Sequence, residues 1–368
     1  MKPKAVLAFG VSTGMVRAAM KFIIVAMCGA GFFFCTPLPA AESLAVPRFV
    51  FISHAPDTDK WWDIIRNALK HASEDFGAEV DYKNPRTGDL NDMVKLIDES
   101  AKQDYQGMIV TLADYERLKE PLTRLVKSKK MPLITVNSGT QQQSETIGAL
   151  MHIGQPEFFA GEMAGEKVKL AHIHSFVCLN HNYTNASSHE RCKGFASGLG
   201  PGAKMVTLEL DGDTTAMQAK ISQYLATYPN TEAMLALGST SAQPAIEVLK
   251  TMKQPGRPYF VTFDLSPQIS DGIKNGMVAF AIDQQPYLQG YLPVALLVEY
   301  RTLLAKYEKP PSLNVVKVGA YVNRKLAARM AFYDLDLLQS KGWHINSGPA
   351  FVTKINIDKV NQFSGTYR

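Results

Sequence analysis

The residues with chemistry to offer stand at the ends of short apolar runs. His54 follows the run 49–53, and Trp61 and Trp62 lie just beyond it. Asn137 follows 133–136, Asn180 and His181 follow 175–179, and Arg191 comes soon after. Ser239 lies past 233–237, Asp264 ends the run 260–264, and Gln284 follows 278–282. Amides, a carboxylate and a guanidinium are planar polar groups, and they suit vicinal hydroxyls, each of which both donates and accepts. An indole face suits the apolar C–H face of a sugar-like ring. Micromolar affinity takes about 8 kcal/mol. Roughly six to eight hydrogen bonds at about 1 kcal/mol each, with one stacked ring, reach that figure. The set is large enough to hold a small uncharged polyol.

Covalent chemistry is less well served. Beyond its first 41 residues the chain has no Gly-x-Ser-x-Gly, and nowhere a P-loop or a Gly-x-Gly-x-x-Gly; no pair of residues reads as a nucleophile with its base. A sugar-cleaving site would need two carboxylates facing one another, for which only Asp264 and either Asp57 or Asp283 qualify. The reading is therefore of a binding protein, not an enzyme, with no cofactor and no metal. Cys178-x2-His181 and His189-x2-Cys192 form a symmetrical set that could hold zinc. The seven residues between those histidines fall across a loop and a helix start, and metal thiolates are unusual in oxidising compartments. A Cys178–Cys192 disulfide is the alternative, since Cys192, Phe195 and Leu199 share one helical face. Free thiols are the third.

The elements that must position these residues alternate regularly. Strands are expected at 49–53, 79–82, 108–111, 133–136 and 146–153, with helices at 60–76, 91–103 and 115–129 between them. The cycle then restarts, with helices at 156–169, 187–199, 215–228, 242–252 and 267–275. Its strands are expected at 175–179, 205–210, 233–237, 260–264 and 278–282. Such alternation means βαβ units on parallel sheets, and two runs of similar size mean two similar Rossmann-like lobes. In open α/β sheets ligands bind beyond the carboxyl ends of the strands. The stretch 276–290 organises the chain: a buried strand, the polar Asp283, Gln284 and Gln285, then Pro286 opening a long helix to about 306. The chain is expected to cross between lobes at 153–155, 282–285 and 313–322. That makes 46–153 plus 286–316 the first lobe and 154–283 plus 317–368 the second.

The first 41 residues read as a secretory signal peptide, with Lys2, Lys4, Arg17 and Lys21 around an apolar segment and small residues near Ala40. Of the 39 Lys+Arg, those four fall within residues 1–40, leaving 35 against 34 Asp+Glu, about +1. The basicity of the whole chain thus belongs to the leader and gives no argument for nucleic acid. Only Cys178 and Cys192 survive cleavage.

Several motifs resemble the sugar-binding proteins of bacterial ABC importers, of the ribose- and galactose-binding type. They are Lys60-Trp61-Trp62, the stretch ending at Asn137, Arg191-x-x-Gly194-Phe195, Thr262-Phe263-Asp264 and Gln284-x-Pro286. The resemblance covers nearly all of the chain after the leader. It implies a periplasmic, monomeric receptor with a three-strand hinge, closing on a neutral sugar or polyol and presenting it to a membrane permease. It implies ligand contacts from Trp61, Trp62, Asn137, Arg191, Asp264 and Gln284, with His54, Asn180 and Ser239 added by position. Asn137-Ser138 replaces the Asp-Arg pair common in ribose binders, and Ser239 replaces an amide, so the sugar is left open. A receptor for a sensor kinase, chemoreceptor or quorum signal would share this fold.

Overall fold

The computed structural model describes residues 45–252, 256–307, 323–337 and 344–368. The expected signal peptide and the expected crossing at 313–322 lie outside them. Among the described residues no helix is long and apolar enough to cross a membrane.

Among the described residues, two six-stranded sheets carry the fold, each flanked by helices. The first contains β1 (Arg48–Ile52), β2 (Glu79–Lys83), β3 (Met108–Thr111), β4 (Leu133–Val136) and β5 (Met151–Gly154). Helices α1 (Asp63–Phe76), α2 (Leu90–Ser100), α3 (Tyr115–Lys129) and α4 (Gln141–Ile147) connect them. Helix α5 (Glu157–Lys169) opens the second unit, where β6 (Ser175–Asn180), β7 (Lys204–Glu209), β8 (Ala233–Ala236), β9 (Tyr259–Phe263) and β10 (Phe280–Asp283) alternate with four helices. These are α6 (Ala186–Leu199), α7 (Thr214–Thr227), α8 (Ser239–Thr251) and α9 (Pro267–Asn275). Then follow α10 (Pro286–Lys306), α11 (Arg324–Tyr333), β11 (His344–Asn346), β12 (Ala350–Thr353) and α12 (Ile357–Val360).

The strand orders are β2-β1-β3-β4-β5-β11 and β7-β6-β8-β9-β10-β12, parallel except that β12 runs against β10. Central strands such as β3 (MIVT) and β8 (AMLA) are buried throughout, as both-face coverage by helices requires. The edge strands β2 and β7 carry the exposed positions. In each sheet the order reverses between the first strand and its two neighbours, which opens a crevice at their carboxyl ends.

Two expectations need correction. Residues 146–153 are not one strand: α4 precedes β5, started by a reciprocal cap between Thr140 and Gln143, a pairing that satisfies two backbone donors at once. The tail does not join the second lobe as a block. Tyr333, Leu335 and Ile345 pack into the first lobe's core, and β11 pairs with β5. Among the described residues of the tail, the chain crosses to the second sheet after Asn346, through the cis Gly348–Pro349 bond. It then returns: Ile357 and Val360 lie in the second core, whereas Phe363 and Tyr367 pack on the first.

Candidate functional site

Glycines bring the site's two charged residues together. Gly161 and Gly165 on α5 face Gly194 and Gly198 on α6, so closely that a Cβ on Gly194 would sit 1.9 Å from the Phe158 carbonyl oxygen. Helix backbones can meet only where side chains are absent. This contact sets Glu157, at the first turn of α5, against Arg191 on α6. The Cys178–Cys192 disulfide ties α6 to β6, which removes the zinc alternative. Among the described residues no group of three or more His, Cys, Asp or Glu could hold a metal ion.

Arg191 Nε and Nη2 donate to Glu157 Oε2 and Oε1 at 2.7 and 2.8 Å, and Nη1 donates to the Leu237 carbonyl at 2.7 Å. The guanidinium lies 4.4 Å from the Phe263 ring centroid. Both partners are buried. Burial alone would lower the Arg191 pKa, but Glu157 outweighs it and holds the charge firmly. Glu190 and Glu166 stand nearer to Arg191 in the chain, but its partner is Glu157.

Around this pair, strand ends from both lobes converge. Asn137 and Asp264 adopt left-handed backbone, φ 63° and 66°, a conformation that short polar side chains tolerate best. Asn137 Nδ2 donates to Gln284 Oε1 at 3.1 Å and to Gln289 Oε1 at 3.0 Å. Gln284 Nε2 donates to Asp264 Oδ1 at 2.6 Å. One relay thus runs from the first lobe through the second crossing to the second lobe. Asp264 is free to join it because Ser266 caps α9. Two more bonds bridge the lobes, Asn185 Nδ2 to Ser138 Oγ at 3.2 Å and Ser187 Oγ to the Gly139 carbonyl at 3.2 Å.

Asp59 caps the 3-10 turn Lys60–Trp62, accepting from the Trp61 N–H. Trp62 is buried in the first core and meets both Trp61 and His54 edge to face; Trp61 is half-buried. His54 Nδ1 and Thr111 Oγ1 share a 2.9 Å hydrogen bond across the β1/β3 crevice. Burial lowers His54 and His181 to about 4, His181 with help from Arg191, so both are neutral near pH 7. Burial pushes Asp264 up to about 7 against the opposing pull of Arg191 and Gln284, and it also raises Asp59.

The result is a cavity of about 530 Å3, counting the part open to solvent, whose exposed lining is mainly polar. Of the expected residues, His54, Trp61, Trp62, Asn137, Arg191, Ser239, Asp264 and Gln284 line it. Asn180 does not. It is buried at the end of β6, and its Oδ1 accepts from the Asn182 N–H at 3.0 Å, so it shapes the turn behind the wall. Asp59, Ser138, His181, Asn182, Asn185, Ser187, Ser188 and Thr240 line the cavity as well. The strand-end rule reaches Ser138, His181, Asn182 and Thr240; the rest depend on how the lobes face each other. Two other carboxylates considered for chemistry are engaged elsewhere. Asp57 pairs with Arg86 at the surface, and Asp283 makes a buried 2.7 Å ion pair with Arg368.

Comparison with known proteins gives consistent findings. The periplasmic binding protein domain matches residues 49–303. A xylose/arabinose-binding protein, XylF, of Sulfolobus acidocaldarius is 24% identical over 266 residues, spanning 69% of this chain and 66% of that protein. A carbohydrate transporter of Acidothermus cellulolyticus, solved with myo-inositol, superposes with a TM-score of 0.72 at 26% identity, covering 87% of this chain and 99% of that one. The XylFII–LytSN complex shares the fold, at 21% identity with a TM-score of 0.63, covering 70% of this chain and 94% of that one.

Proposed function

This chain belongs to the periplasmic binding protein family, and we propose that it captures one neutral sugar or polyol between its lobes. Closure about the crossings at 155–156, 284–285 and 347–349 would bury the ligand, and the closed form would be handed to the permease of an ABC transporter. The protein would act in the periplasm as a monomer, without turning the ligand over. The observation that carries this reading is the relay Asn137–Gln284–Asp264, which lines one polar cavity with groups from both lobes. The half-buried Trp61 supplies a ring face beside it, and relatives described as binding xylose, arabinose or myo-inositol support the ligand class. Isothermal titration against pentoses, hexoses, deoxy sugars, linear polyols and cyclitols tests it. Heat with at least one is expected; none with any would remove the proposal.

A second reading keeps the ligand and replaces the permease with a signalling protein. The relative solved in complex with LytSN favours it. Sugar uptake lost on deletion of the gene supports import, whereas intact uptake with a lost transcriptional response supports signalling.

A further inference from the structure

Arg191 reaches the cavity with most of its hydrogen bonding already committed. A guanidinium has five N–H donors. Two go to Glu157 and one to the Leu237 carbonyl, which leaves two for a guest. Glu157 itself is not among the residues lining the cavity. It lies behind Arg191, and Gln155, at the first crossing, donates to its Oε2 at 2.7 Å. The back of this pair faces a separate hinge-side space lined by His152, His344 and Phe158.

We propose that Glu157 is a specificity-determining positioning residue: by neutralising Arg191 from behind, it restricts the cavity to uncharged hydroxyl ligands and excludes sugar acids and sugar phosphates. An unpaired buried arginine is a ready site for a carboxylate or phosphate, which its fork grips through two parallel bonds. Here that fork is turned onto Glu157, and a ligand anion would bring a further negative charge beside Asp264 in the wall, with Glu157 already behind Arg191. The remaining N–H groups suit a hydroxyl oxygen, which adds no charge. The neighbouring His54 and His181 do not change the balance, since both are neutral near pH 7. This inference rests on the neutral-polyol reading and names the residue that enforces it.

Glu157→Gln keeps the size and one acceptor oxygen but removes the charge. The experiment is titration of wild type and E157Q with matched pairs: D-galactose and D-galacturonate, D-glucose and D-glucuronate, myo-inositol and myo-inositol 1-phosphate. For the pair whose neutral member binds, wild type is expected to prefer that member at least 100-fold, and E157Q to cut the preference at least tenfold or invert it. A role confined to structure would weaken both members alike, and that result overturns the inference while leaving the proposed function standing. Wild type binding no neutral member of any pair, nor any sugar of the wider panel, would sink the neutral-polyol reading and the inference with it. Should E157Q fail to fold, Arg191→Gln gives the mirror test. It leaves Glu157 uncompensated, so D-galactosamine is expected to gain on D-galactose at least tenfold, and an unchanged ratio counts against the role.

Discussion

Proton release on ligand binding is a direct consequence of where Asp264 sits. Its carboxyl is buried, and burial raises it from 3.8 to about 7. At about 1.4 kcal/mol per unit, that is roughly 4 kcal/mol of bias toward the protonated form. Near pH 7 about half the molecules therefore carry the proton, and near pH 6 most do. A polyol hydroxyl donating to Asp264 favours the ionised carboxylate and draws its pKa back down. Binding should thus release about half a proton near pH 7, approaching one near pH 6, so that below pH 7 affinity rises with pH by up to about tenfold per unit. The assay is titration in buffers of different ionisation enthalpy, whose slope counts the protons. Asp264→Asn should flatten it. A zero slope in wild type, or the same slope in the variant, refutes the reasoning. Stability has the matching sign. A carboxyl raised in the folded state stabilises below about pH 4, and that contribution is lost as pH rises through 7. His54 and His181, lowered to about 4, work the other way: their share is lost as pH falls below their ordinary value of 6.5, so the wild-type minus D264N difference isolates Asp264.

Other expectations are simpler to check. Trp62→Ala should cost about 3–5 kcal/mol of stability, as for a buried aromatic, measured by denaturant unfolding; Trp61→Ala should leave stability within about 1.5 kcal/mol and weaken ligand binding tenfold or more. Gly194→Ala would place a methyl 1.9 Å from the Phe158 carbonyl, forcing α5 and α6 apart. A fall in melting temperature together with loss of ligand heat is expected, and an unperturbed variant would show that the helices need no such approach. Arg368→Ala strands Asp283 in the interior without its partner, which should cost about 3–5 kcal/mol. Calorimetry reads the change, and Arg368→Met with Asp283→Leu should recover much of it.

The alternation of apolar runs and amphipathic stretches made both lobes legible, because buried parallel strands and their covering helices each leave a local pattern. Of the nine site residues expected from the sequence, eight line the cavity. What escaped was non-local. Glu157 is 34 residues from Arg191, and only the glycine contact between two helices brings them together, so a reader of one segment sees nearer acids first. Helix α4 spans seven residues, too few for a periodicity, although Thr140 and Gln143 carried its cap. β11 and β12 are three and four residues long and pair with strands far back in the chain, which no local pattern records. Asn180 misled for a different reason: it stands at a strand end, yet its side chain turns to the following loop.

The most direct measurement is a crystal structure of the protein with the best-binding polyol of the titration panel. One guest hydrogen-bonded to Asn137 or Gln284 on one side and to Arg191 and Asp264 on the other is the predicted result. A ligand held by a single lobe, or lodged outside this cavity, would contradict the account.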